Sequence, residues 1–113
     1  GDVALPAHAL APGAYVLLTA EGFAPGAGGD VAPPPSATVL TLPSLGKSGL
    51  SNAGEALTLR SPEGDVVSRF PATPKPKAGA SVARRRPDAP DDDARAFALT
   101  APGGATPGGP NGL

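Results

Sequence analysis

A lone histidine, a Gly-Lys-Ser triplet and two neighbouring charge runs are the residues in this 113-residue chain whose types could do chemistry. His8 sits between Ala7 and Ala9 in a proline-flanked stretch. A hydrolytic triad needs a base beside its nucleophile and a carboxylate to orient that base. The chain has no Cys and no G-x-S-x-G elbow, and zinc needs several ligands where one histidine supplies a single position. His8 therefore reads as a surface or hinge residue. No catalytic residue and no cofactor is assigned from the sequence.

Gly46-Lys47-Ser48 ends like a phosphate-binding loop. That loop needs a glycine five residues before its second glycine and a helix behind it. Thr41 holds the first position, and Leu50-Ser51-Asn52-Ala53-Gly54 cannot continue as a helix. A polar loop is the better account.

Asp91, Asp92 and Asp93, with Asp88 nearby, are the candidate metal ligands, and Ca²⁺ is the ion they would attract. Calcium loops place carboxylates at alternate positions with a glycine at the turn, because adjacent side chains diverge. Three contiguous aspartates lack that spacing, so the expectation is a solvated acidic loop. Arg84-Arg85-Arg86 lies just before it. A nucleic-acid footprint would extend into a basic stripe with aromatic or polar partners. Here the acids offset the bases locally, which predicts ion pairing within the loop. Strand alternation would put Arg85 on the opposite face from Arg84 and Arg86.

The elements that must position these residues are constrained by composition. Nine Lys+Arg against ten Asp+Glu leave a net charge of −1, which argues against a nucleic-acid or anionic-membrane surface. Gly and Pro contribute 16 residues each, a share at which disorder must be considered. Disorder is usually driven by low hydrophobicity together with high net charge, and the charge is missing here. Large apolar residues are scarce: twelve Leu, seven Val, three Phe, and no Ile, Met or Trp. The core is expected to be thin, with no disulfide to support it. No run approaches the roughly 18–20 apolar residues of a membrane span. The absence of Met predicts a processed form or a piece of something longer.

Helical periodicity is almost absent, and short apolar runs separated by turn residues recur instead, the all-β pattern. The runs are Ala14–Thr19, Thr38–Leu42, Ala56–Arg60, Val66–Phe70, Ala80–Arg85 and Phe97–Thr100. Pro33-Pro34-Pro35 favours extended polyproline geometry between the first two. The clearest local signal is Leu57–Phe70, where Ser61-Pro62-Glu63-Gly64-Asp65 separates two alternating runs. Pro62 presets φ for a type I turn and Gly64 can take the positive φ that closes a bulged hairpin.

In order, these pieces resemble the lamin tail domain, an immunoglobulin-like β-sandwich of nuclear lamins and exported bacterial proteins. Leu5–Leu18 (LPAHALAPGAYVLL) looks like the family's L-P-x-G-x-x-L-x-P-G-x-Y-x-x-L strand. Gly49–Leu59, followed by Arg60–Val67, is similar to its G-L-S-N-S-G-D-x-V-x-L-x-D-x-x-G-x-V-V hairpin. Ser81–Arg85 stands where the family has S-L-E-R-R, and Ala105–Asn111 resembles its closing G-T-P-G-A-P-N. The family's W-I-E-L-x-N and L-S-G-W strands are not found before Gly1, so the resemblance covers the later strands only.

The resemblance implies an all-β, immunoglobulin-like β-sandwich over residues 1–100 that lacks its first strands, with a Gly/Pro-rich C-terminal tail at 101–113. It implies a non-catalytic structural or protein-binding module, extracellular or on the cell surface. A protein partner or an upstream segment would complete the sheet, with assembly with other chains as a further use of open edges. No nucleic acid and no membrane span is expected. The alternatives are an accessory domain of a secreted hydrolase of nuclease or phosphoesterase type, with its active site outside this chain, a chromatin contact, and a flexible linker.

Overall fold

The computed structural model describes residues 3–23, 31–45, 50–51, 53–91 and 93–111. Among them, every regular element but one is a strand. The strands are β1 (Val16–Ala20), β2 (Thr38–Leu42), β3 (Leu57–Arg60), β4 (Val66–Phe70), β5 (Val82–Arg84) and β6 (Phe97–Leu99). A single 3-10 turn, Ala94–Ala96, precedes β6. The strands form three two-stranded sheets, so the chain is β-rich. No described helix is long and apolar enough to cross a membrane.

The chain divides into two compact units, one of residues 1–50 and 106–110 and the other of residues 51–105 and 111–113. In the first unit β1 and β2 pair in parallel, Val16 with Thr38 through Ala20 with Leu42. Parallel strands need a long connection to bring the chain back in the same direction, and residues 21–37 supply it. Thr19 and Leu42 are the buried side chains of this sheet. The proline triplet runs into a turn, in which the Ala37 N–H donates to the Pro34 carbonyl at 2.9 Å. The segment read as a tail contributes here too, because residues 106–110 belong to this unit.

The second unit holds the hairpin. β3 and β4 are antiparallel, with Leu57 opposite Phe70, Thr58 opposite Arg69 and Leu59 opposite Ser68. The register then shifts so that Arg60 faces Val66, leaving Val67 as the extra residue of a bulge. Bond geometry within the turn explains the shift. Gly64 N–H donates to the Ser61 carbonyl at 2.9 Å and Ser61 N–H to the Asp65 carbonyl at 2.8 Å. Gly64 has φ +93°, a value that costs an L side chain strain and a glycine none. A second glycine is needed for closeness: a Cβ on Gly54 would lie 2.2 Å from the Ala72 carbonyl oxygen.

β5 and β6 pair antiparallel, Val82 with Leu99 and Arg84 with Phe97. The ladder extends one residue beyond them, since Thr100 N–H donates to the Ser81 carbonyl at 2.8 Å. The hydrophobic centre of this unit is Ala89, Ala96 and Phe97, with Phe70 and Val82 packed against it. Two alanines and one phenylalanine make a small core, as the scarcity of large apolar residues implies.

Candidate functional site

Charged, aromatic and apolar groups converge between the β3–β4 hairpin and the β5–β6 ribbon. Side chains two apart on a strand share a face. Leu57 and Leu59 of β3, with their cross-strand partners Phe70 and Ser68, therefore stand on one face of the hairpin. Val82, Arg84 and Phe97 stand together on one face of the ribbon by the same rule. The two faces border a cleft of about 350 Å³. Phe70 and Phe97 both line it, with ring centroids 5.0 Å apart and planes at 76°, the edge-to-face arrangement that aromatic quadrupoles favour. Leu57 and Leu59 also line it and are 40% and 44% exposed.

Arg84 organises the polar part of the site. Its guanidinium carbon is 4.9 Å from the centre of the Phe97 ring, within cation–π range. Nη1 donates to the Ala89 carbonyl, and Nη2 forms a 2.5 Å ion pair with Asp91 Oδ1. The Arg84 carbonyl accepts from Asn111 Nδ2 at 3.0 Å, which fixes the chain's last described residue to β5. Asn111 carried no assigned role in the sequence.

Asp91 reaches the hairpin as well. Its Oδ1 accepts from Ser68 Oγ and its Oδ2 from the Arg69 backbone N–H, each at 3.2 Å. The Arg84 hydrogen bond and then the Arg69 N–H hold the Asp91 carboxyl below the ordinary aspartate range, against partial desolvation. One carboxylate thus joins two strands that are distant in sequence.

Asp91 and Asp93 do not share a partner. Asp93 caps the 3-10 turn by accepting from the Arg95 N–H at 2.9 Å. Its carboxyl also pairs with the Arg95 guanidinium at 3.0 Å, and that contact lowers its pKa. Asp91 and Asp93 therefore serve different arginines, and Asp92 lies outside the described residues. Among the described residues, no group of three His, Asp or Glu side chains is placed to hold a metal ion. The loop is also less solvated than its composition implies, because Asp91 is half-buried and Ala89 is buried.

β5 ends at Arg84, so strand alternation does not govern Arg85 and Arg86. Arg84 faces the cleft, Arg85 turns away and donates from Nε to the Arg95 carbonyl at 3.0 Å, and Arg86 lies 3.7 Å from Asp88 on the surface. Local ion pairing is thus present for Arg84 and Arg86. His8 is exposed. Gly46-Lys47-Ser48 lies outside the described residues.

The arrangement is an apolar cleft face, partly exposed at Leu57 and Leu59, with Arg84 and its Asp91 partner at the edge. No protein-family model, curated protein or solved structure matches this chain.

Proposed function

We propose that this chain is a non-catalytic structural or protein-binding β-module of an exported or cell-surface protein. In this reading it is an incomplete immunoglobulin-like β-sandwich, similar to the later strands of lamin tail domains. A strand from outside the described sheets completes it.

One observation carries the reading: every residue of β3 is exposed, although Leu57 and Leu59 carry the apolar face of the hairpin. A sheet face built from leucines and left uncovered marks an interaction site more often than a solvated surface. Half-built faces and open edges gain stability when a further strand is added. The location outside the cell rests on the lamin-tail resemblance.

The test is spectroscopic. Far-ultraviolet circular dichroism of β type and well-dispersed amide signals from residues 57–99 are expected of the chain in solution. Random-coil spectra would refute the module. Recovery from the cell-surface or secreted fraction of its native host, and not from the cytosol, checks the location.

A further inference from the structure

The two edges of the β3–β4 hairpin differ. The Arg69 N–H donates to Asp91, so it points away from β3. In an antiparallel ladder, opposed residues either exchange both of their backbone bonds or turn both sets outward. Arg69 is opposite Thr58. Thr58 therefore belongs to the outward set, and its N–H and C=O point off the far side of β3. Among the described residues nothing outside the hairpin bonds to them. β4 has its outward donor occupied, while β3 has its outward pair bare.

Protected edges usually carry lysine, proline or a bulge. β3 reads Leu57-Thr58-Leu59-Arg60, and the bulge lies on β4. The β3 run is also self-complementary. Leu57-Thr58-Leu59 reads the same in both directions, so an antiparallel copy centred on Thr58 sets Leu57 opposite Leu59 of the second copy. All four leucines then share the cleft side. Thr58 meets itself as a mutually bonded pair, which its outward N–H and C=O require. Charge selects the same direction. Glu55 precedes the run and Arg60 ends it, both exposed. Antiparallel pairing brings the Arg60 end of one copy to the Glu55 end of the other, whereas parallel pairing would stack like on like.

We infer that the outer edge of β3 binds a second copy of this chain. The two β3 strands pair antiparallel about a two-fold axis at Thr58, giving a four-stranded sheet. The inference rests on the β-module reading and names its partner.

Sedimentation equilibrium of the full chain from about 1 μM to 1 mM tests it, with circular dichroism on the same samples. The wild type is expected to move from monomer to twice the monomer mass. Thr58→Pro removes the outward donor at a position where an edge strand tolerates proline. It is expected to keep the β spectrum and weaken association by about tenfold or more. Thr58→Lys keeps the N–H but sets like charges opposite each other; it should stay monomeric and serves if the proline variant does not fold. Thr58→Val should associate like the wild type. A wild type with a β spectrum and monomer mass throughout overturns the pairing and leaves the edge to a strand of another protein. Folded Thr58→Pro and Thr58→Lys variants that associate like the wild type also overturn it. A random-coil wild type instead counts against the module itself.

Discussion

The Arg84–Asp91 ion pair ties separate strands together. Arg84 ends β5, and the Asp91 carboxylate it holds at 2.5 Å also accepts from Ser68 and Arg69 of β4. The Arg86–Asp88 and Arg95–Asp93 ion pairs, by contrast, join residues two apart in sequence. Pairs between exposed, sequence-local side chains contribute little, because solvent screens them and both side chains lose freedom.

Substitution at the aspartates should therefore separate sharply. Asp91→Ala is expected to lower the urea midpoint clearly more than Asp93→Ala, since it leaves Arg84 unpaired and the Arg69 N–H without its acceptor. Equilibrium denaturation of both variants checks the order. Equal midpoints would place Asp91 on the surface in energetic terms.

Both carboxyls also give stability a pH dependence. The unfolded chain takes up protons at aspartates near pH ~3.9, whereas folded Asp91 and Asp93 hold out to lower pH. The unfolded state therefore binds more protons in that interval. This stabilisation is whole above the unfolded value and is lost as pH falls through the folded ones. Urea melts between about pH 2 and 5 should show stability rising with pH. Asp91→Asn should flatten the rise, and an unchanged slope would argue against the Arg84 contact.

Phe97 is the largest buried side chain of the second unit, at 3% exposure. Phe97→Ala is expected to cost about 3–5 kcal/mol, a large share of the roughly 5–15 kcal/mol typical of small domains. Phe97→Leu keeps most of the burial and loses the Phe70 edge contact and the Arg84 stacking, about 1 kcal/mol each. It should fall between wild type and Phe97→Ala in thermal melts.

The two glycines make a paired comparison. Gly64→Ala puts a side chain at φ +93° with open space around it, so the expected cost is backbone strain alone, about 1–2 kcal/mol. Gly54→Ala adds a collision with the Ala72 carbonyl at 2.2 Å to φ +96° and should be the more damaging. Comparing their denaturation midpoints decides it.

Local structure was largely legible in the sequence, and pairing between distant segments was not. The expected runs Thr38–Leu42 and Val66–Phe70 coincide with β2 and β4, and the bulged turn with Gly64 at positive φ is where Pro62 and Gly64 put it. These features depend on neighbours in the chain. The parallel pairing of β1 with β2 has no local signature, because alternation specifies a strand and not its partner. Asp91 looked like one of three equivalent acids. Its distinction comes from Ser68 and Arg69, 23 and 22 residues away, a separation that no spacing rule covers. Residues 101–113 read as a loose tail from their glycines and prolines. Ala101–Gly104 nevertheless closes a turn, and Asn111 bonds to Arg84.

The Asp91 carboxylate on the Arg69 N–H has a consequence for how far assembly can go. A hairpin with both edges bare has a valency of two, and each addition exposes a fresh template for the next. Occupying one edge reduces the valency to one, so growth terminates when the remaining edges meet. If β3 pairs with a second copy as inferred, Asp91 would act as a chain stopper, and taking it away would open the β4 edge to further addition.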